Sequence, residues 1–104
     1  MSVTLSRLQN WYHSQCNGEW EHSWGITIGT LDNPGWSVEI DLIETQLNGA
    51  EFAGHSYGVG DDSDESSDEW IDCRVEGEKF LGFGGPEKLE EIMTIFLDWA
   101  EQQS

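Results

Sequence analysis

The first candidate for chemistry is a serine between two glycines, in the run Gly54-His55-Ser56-Tyr57-Gly58, which matches the G-x-S-x-G pattern of hydrolase nucleophiles. That pattern requires a helix directly after the serine, and an acid and then a histidine later in the chain. The residues that follow this run, Val59-Gly60-Asp61-Asp62, do not favour a helix. All three histidines of the chain come before Ser56, so none can follow it as the pattern requires. We therefore expect a glycine-rich bend or strand at this position, without a catalytic serine.

The cysteines and histidines are the second candidate, as a thiol nucleophile or a metal site. The two cysteines, Cys16 and Cys73, lie far apart, and no C-x₂-C or H-x₃-H spacing is present. Cys16 has His13 and His22 nearby in sequence, but lowering a thiol pKa usually needs positive charge, which this chain lacks. We expect two free thiols, with Cys73 in the core, and no metal, cofactor or catalytic residue.

Two further patterns concern ions. Gly82-Phe83-Gly84-Gly85 before a helical stretch is similar to a phosphate cradle, but Glu87 stands where the third glycine belongs and would repel phosphate. A tightly packed start of a helix against a sheet is the better interpretation.

A calcium loop beginning at Asp61 would need glycine at its sixth position and glutamate at its twelfth. The residues at these two positions are Ser66 and Asp72. The EF-hand pattern therefore fails.

An acidic segment is the strongest polar feature of the chain. Residues 61–72 contain seven acids and no base, and we expect a solvated loop over about 60–69. One interpretation is an electrostatic surface for a basic partner, and the other is a solubilising loop without a partner. Two tryptophans beside acids are candidate interface anchors, because tryptophan dominates binding hot spots. The candidate partner-binding residues are Asp61, Asp62, Asp64, Glu65, Asp68, Glu69, Trp70, Trp20 and Glu21.

Composition narrows the class of protein. The chain has 104 residues, of which 21 are acidic and four are Lys or Arg, so its formal net charge is −17. Direct binding to nucleic acid phosphates or to an anionic membrane needs clustered basic residues, so neither is expected. No apolar run is long enough to span a membrane, and no basic-then-apolar leader is recognisable. We predict a single cytoplasmic domain over residues 1–104.

The elements that position these residues follow from periodicity. Apolar residues recur at helical spacing over 3–16, and alternate with polar ones over 19–31 and 36–44, with a turn at Asp32-Asn33-Pro34-Gly35 between the two strands. A weak strand over 51–59, a strand over 70–76 and a short strand over 80–83 follow, before a helix beginning at Gly84-Gly85-Pro86. Predicted core tryptophans are Trp11, Trp24, Trp36 and Trp99. The prediction is an α+β fold: an antiparallel meander of four to five strands, with both helices on one face.

The ordered run LQNWYHSQCNGEWEHSWGITIGTLDNPGWSVEIDL and the later run DEWIDCRVEGEKFLGFGGPEKLEEIMTIFLDWA resemble the immunity protein 53 family of bacterial polymorphic toxin systems. The resemblance covers nearly the whole chain and is least in the middle segment. The matching positions are Trp11, Cys16, Asn17, Gly18, Trp20, Glu21, His22, Asp32, Asn33, Pro34, Gly35, Trp36, Gly84, Gly85 and Pro86.

The resemblance implies a small cytosolic protein that binds and neutralises a cognate toxin domain, without catalysis, and the acidity favours a nuclease toxin with a basic cleft. It assigns no toxin-contacting residues. We expect a monomer or weak homodimer. The alternative hypothesis is an acidic adaptor, or a nucleic-acid mimic that regulates another basic protein.

Overall fold

Three helices and five strands make up the part of the chain that the computed structural model describes, residues 3–32, 34–58 and 69–103. In chain order the elements are α1 (Val3–Gln15), α2 (Trp20–Ser23), β1 (Ile26–Leu31), β2 (Gly35–Asp41), β3 (His55–Tyr57), β4 (Ile71–Glu76), β5 (Lys79–Gly84) and α3 (Leu89–Gln102). The predicted α+β class, with a helix at each end of an antiparallel sheet, is confirmed.

The sheet has the strand order β1-β2-β5-β4-β3, and every neighbouring pair is antiparallel. The predicted meander is therefore wrong, because β2 pairs with β5 instead of β3. The reason is packing: β5 carries Phe80, which is fully buried, whereas all three residues of β3 are exposed. The strand that buries more apolar surface takes the central place, and the short polar strand takes an edge.

The two long helices lie on one face of the sheet, as predicted. α3 lies against the central strands, and its buried side chains join those of β2, β4 and β5 in one core. α1 packs beside α3, where the rings of Trp11 and Phe96 meet edge to face with centroids 4.9 Å apart. The opposite face carries ion pairs, including Lys79 with Glu39.

Glycines in β5 allow α3 to approach the sheet closely. A Cβ built on Gly82 would lie 2.4 Å from Cγ2 of Ile92, and one built on Gly84 would lie 2.9 Å from Cβ of Lys88. These distances are shorter than any normal carbon contact. The predicted tight packing of the Gly82–Gly85 run against a helix is confirmed, but the helix begins at Leu89, because residues 85–88 form a turn closed by the Lys88 N–H and the Gly85 carbonyl.

The predicted strand over 19–31 is half wrong, because its first part is the helical turn α2. The Asn17 side-chain oxygen accepts hydrogen bonds from the backbone N–H groups of Glu19 and Trp20, at 3.0 and 2.9 Å. Such short-range side-chain bonds compete with strand pairing and favour a turn. The strand therefore begins at Ile26, and the alternating pattern upstream of it is coincidental.

Of the predicted weak strand over 51–59, only His55–Tyr57 form a strand, β3. Gly54 and Gly58 flank it with φ angles of +83° and +71°, which lie in the left-handed region that favours glycine. These two glycines bound a strand of only three residues. The predicted acidic loop lies almost wholly outside the described residues, which resume at Glu69.

Candidate functional site

The two ends of the acidic segment meet at one place on the fold, which we call the segment stem: Tyr57, Gly58, Glu69, Trp70 and Lys88. A Cβ on Gly58 would lie 2.2 Å from the Glu69 carbonyl oxygen, so the backbones on both sides of the segment are in close contact. The Trp70 carbonyl accepts a hydrogen bond from the Gly85 N–H at 3.1 Å, which ties the stem to the turn before α3. The chain on the two sides of residues 59–68 is therefore held together at the stem.

Charged groups hold the stem to α3. The Lys88 ammonium lies 2.5 Å from a Glu69 carboxylate oxygen and 3.9 Å from one of Glu91. The Tyr57 hydroxyl donates to Glu91 at 2.8 Å. The bond to Glu69 raises the pKa of Lys88, and burial and then the Glu91 hydrogen bond raise the pKa of Tyr57. At neutral pH the stem therefore holds one cation between two carboxylates, with a neutral tyrosine alongside.

Of the predicted site residues near the segment, Glu69 is exposed and Trp70 is half-buried at the stem. Five more lie outside the described residues: Asp61, Asp62, Asp64, Glu65 and Asp68. Their part in binding stays a prediction.

Trp20 does not lie at the surface, so the expectation of an exposed anchor there is wrong. Its side chain is 1% exposed, and its indole N–H donates to the Ile43 carbonyl at 2.9 Å. Glu21 is half-buried, and its carboxylate accepts the backbone N–H groups of Asn17 and Gly18, each at 2.9 Å. Backbone N–H groups of Glu21 itself and of those two residues lower the pKa of its carboxyl group. Both side chains therefore build the α2 turn.

Trp24 is the tryptophan that the sequence placed incorrectly on the inside. Its side chain is 36% exposed. It directly follows α2, and its backbone N–H donates to the Trp20 carbonyl at 2.8 Å. In a continuous strand Trp20 and Trp24 would share a face, but the helical turn separates them. The sequence does contain a signal that Trp20 is the buried tryptophan and Trp24 the exposed one. This signal is Asn17-Gly18, because the pair favours a turn and the asparagine side chain can accept hydrogen bonds from the backbone N–H groups that follow.

The four predicted site residues that the structure describes fall in two places. Glu69 and Trp70 lie beside β3 and β4, at one edge of the sheet, whereas Trp20 and Glu21 precede β1 at the other edge. Neighbouring strands are about 4.8 Å apart, so five strands separate the two edges by about 19 Å. The structure does not bring these four described residues into a single small site.

All four basic side chains of the chain are each within 3.9 Å of two carboxylates. The pairs are Arg7 with Asp98 and Glu101, Arg74 with Asp72 and Glu76, Lys79 with Glu39 and Asp41, and Lys88 with Glu69 and Glu91. Exposed ion pairs of this kind add little stability. Their consequence is electrostatic, because each cluster keeps a net negative charge and none of the four Lys and Arg side chains is left to form a basic patch.

The geometry gives no support to a nucleophilic site. Ser56 lies in β3, and its neighbour His55 projects from the opposite face of that strand, while His13 lies in α1 and His22 in α2. Cys73 is 1% exposed, and burial raises its pKa to about 12. Both cysteines are free. Within the described ranges, no group of three His, Cys, Asp or Glu side chains is arranged to hold a metal ion.

Comparison with known proteins adds one finding. The family model for Immunity protein 53 matches residues 5–101. No curated protein and no solved structure matches the chain. Among the helices described, none has the length and apolar character needed to cross a membrane.

Proposed function

The chain belongs to the immunity protein 53 family, and on this premise we propose that it binds and neutralises a cognate toxin domain of a bacterial polymorphic toxin system. The observation that carries the proposal is the match itself, which spans residues 5–101 and so includes every helix and strand except the ends of α1 and α3. Neutralisation is by occlusion: the bound protein covers the active cleft of the toxin or the surface that meets its substrate. No chemical step by this chain is required.

The charge distribution supports a basic toxin, and within that class a nuclease. A net charge of −17 with every cation held between carboxylates produces an attractive field for a basic cleft that normally binds phosphates. We propose that the acidic residues 61–69, with Trp70 beside them, steer the toxin toward the protein, since complementary charge mainly accelerates association. The complex forms in the cytoplasm, where the protein is a monomer or weak homodimer before it meets the toxin.

The first test is a pull-down of the tagged chain from its native organism at low and at high salt, read by mass spectrometry. We expect one near-stoichiometric partner that carries a toxin domain, and co-expression of this chain with that domain should restore growth of a host cell. Ser56→Ala is the matched control and should protect as well as the unchanged protein. Many basic proteins that wash off with salt would instead favour an acidic adaptor, and loss of protection in a folded Ser56→Ala variant would favour an enzyme.

A further inference from the structure

Among the residues that the structure describes, no strand pairs with the outer edge of β1. In the described part of the chain β1 pairs only with β2, and its six residues, ITIGTL, include no charged residue and no proline. Soluble proteins usually protect such an edge with charge, proline, a bulge or a short strand. The other edge follows that rule, because β3 has only three residues. β1 therefore lacks the usual protection against pairing with another chain.

The backbone groups on this edge can be assigned from the ladder. The Asp41 N–H donates to the Gly25 carbonyl at 3.0 Å, so Gly25 faces β2. Backbone direction alternates along a strand, so Thr27, Gly29 and Leu31 also face β2. The N–H and C=O groups of Ile26, Ile28 and Thr30 therefore point outward. The Leu42 N–H donates to the carbonyl of Glu78, which precedes β5, at 2.8 Å, so Leu42 faces β5. Its neighbour Asp41 faces β1, so the backbone direction also alternates along this part of the chain.

An apolar groove runs beside this edge, which we call the α1–β1 groove. It has a volume of about 430 Å³ and is lined by Leu8, Gln9, Tyr12, Trp24, Gly25 and Ile26. Its walls include exposed aromatic surface, with Tyr12 39% and Trp24 36% exposed, and Ile28 continues the apolar surface along β1 at 42% exposure. A strand added to β1 would direct alternate side chains to this face of the sheet.

Charge decides what kind of chain can occupy the edge. Between Arg7 and Arg74 the sequence contains no Lys or Arg, and acids flank β1 at both ends, with Glu19 and Glu21 before it and Asp32 after it. Two copies of this chain, each with a net charge of −17, repel one another, which opposes pairing of β1 with its own copy. A basic partner is attracted to the same surface.

We propose that β1 binds an extended segment of the toxin as an additional antiparallel or parallel strand, with apolar side chains of that segment in the α1–β1 groove and basic residues at its ends. This inference rests on the proposed function and adds the binding mode. Main-chain hydrogen bonds to Ile26, Ile28 and Thr30 contribute affinity, and the groove selects apolar side chains at alternate positions. The acidic residues 61–69 act through the long-range field and need no contact with this segment.

The first test measures amide hydrogen exchange by NMR, with the toxin domain identified in the pull-down used in purified form. In the free protein the amides of Ile26, Ile28 and Thr30 should exchange quickly, and those of Thr27, Gly29 and Leu31 slowly. In the complex the three outward amides should slow by about tenfold or more, because they become hydrogen-bonded. Unchanged exchange at these amides in a tight complex would overturn the inference and leave the proposed function standing.

The second test compares two substitutions at one position. Ile28→Pro removes an outward N–H without removing a bond to β2, and proline is tolerated on a strand edge that faces solvent. Ile28→Thr keeps the N–H and the β-branched shape. The proline variant should bind the toxin at least about tenfold more weakly than the threonine variant, with circular dichroism confirming that both fold. If the proline variant does not fold, the amide measurement on the unchanged protein decides the question.

Two other outcomes would show whether the β1 edge binds a toxin segment, a second copy of this chain or neither. Protection of the outward amides that increases with protein concentration in the absence of toxin would assign the edge to a second copy of this chain, and would overturn the inference. If the unchanged protein binds and inhibits no toxin domain, the proposed function and this inference fall together. Equal binding by folded Ile28→Pro and Ile28→Thr variants rejects the strand pairing alone.

Discussion

At the scale of single residues, three tryptophan indole N–H groups donate hydrogen bonds to backbone carbonyls of connecting segments. Trp20 donates to the Ile43 carbonyl, Trp36 to Pro86 and Trp99 to Glu51, at 2.9, 2.8 and 2.7 Å. Each bond joins an element to a connecting segment distant in sequence. A buried tryptophan with a paired N–H contributes both apolar contact and a directed bond, so these residues fix the loops around the sheet.

The first prediction concerns Trp20. Trp20→Phe keeps most of the apolar contact but removes the N–H donor, leaving the Ile43 carbonyl without that bond, so the free energy of unfolding should fall by about 1–3 kcal/mol. Urea unfolding followed by circular dichroism measures the change. Trp24→Phe is the matched control, and at 36% exposure it should change stability by less than about 0.5 kcal/mol. Equal effects of the two substitutions would contradict the assignment of Trp20 to the core.

The second prediction concerns pH and Cys73. Burial, with Asp72 and Glu91 adding to it, raises the pKa of this thiol from 9.0 to about 12. The folded protein therefore keeps a proton that the unfolded chain releases above pH 9.0. Stability from this source is fully present below that pH and is lost as the pH rises toward about 12.

Between those limits the unchanged protein should lose stability more steeply than Cys73→Ala, by up to about 1.4 kcal/mol per pH unit. Urea unfolding of both proteins at about pH 8 and about pH 10.5 measures the two slopes. Comparing slopes removes the constant loss that the alanine cavity itself causes, and it also cancels the titration of the lysines and tyrosines. Parallel slopes would show that the thiol titrates normally.

At the scale of elements, the distance between α3 and β5 depends on glycine. Gly82 and Gly84 lie on the helix-covered face of β5, in register with Val38 and Trp36 of β2. They leave room for Ile92 of α3 to approach the strand backbone. A helix that packs directly on a strand in this way buries Ile92 fully and aligns Phe96 with Phe80, whose ring centroids are 5.1 Å apart.

The third prediction tests this packing. Gly82→Ala places a methyl group 2.4 Å from Ile92, which must move α3 or change its rotamer, so stability should fall by about 1–3 kcal/mol. Gly29→Ala is the matched control in the same sheet, because its added methyl meets nothing closer than Ser37 Oγ at 3.4 Å. The control should be neutral or slightly stabilising in thermal unfolding. A loss of stability in Gly29→Ala as large as that in Gly82→Ala would contradict close packing as the cause.

At the scale of the whole molecule, charge and shape are separated. The described residues that flank the acidic segment, Tyr57 and Glu69, lie at the β3 edge of the sheet, and the uncharged edge strand β1 lies at the other edge. Electrostatic attraction acts over about 8 Å, the screening length at physiological salt, whereas strand pairing and groove contacts need direct contact. One surface can therefore determine how fast a partner arrives, and the other how long it stays.

The fourth prediction follows from that separation. Reversing Asp61, Asp62, Asp64 and Glu65 to Lys should slow association with the toxin by about tenfold at low salt and change dissociation much less. Stopped-flow or surface plasmon resonance at two salt concentrations measures both rates. Reversal of Glu44 and Glu51, between β2 and β3, and of Glu76 and Glu78, at the β4–β5 turn, changes the net charge equally and is the control. Identical association rates for the two variants would reject a steering role for the acidic segment.

Much of the architecture follows from local patterns in the sequence. The apolar stripes of α1 and α3, the alternation in β2 and the turn around Pro34 give the long helices and the first hairpin, because side-chain periodicity directly reflects which face of an element is buried. The charge of −17 follows from composition alone. The mismatch between the G-x-S-x-G run and the hydrolase pattern is also read from the sequence, since that pattern requires a histidine after the serine and none follows Ser56.

Only the tertiary structure decided the strand order, the exchange between Trp20 and Trp24, and the place of the α1–β1 groove. The alternation of residues 19–31 is equally compatible with one long strand, and the Asn17 side-chain bonds resolve it into a turn and a shorter strand. Which strand lies at an edge depends on contacts between residues distant in sequence, such as Ile40 with Phe80. Local periodicity states that a strand exists, but the burial gained by long-range pairing determines its neighbours and so which edge stays open to a partner.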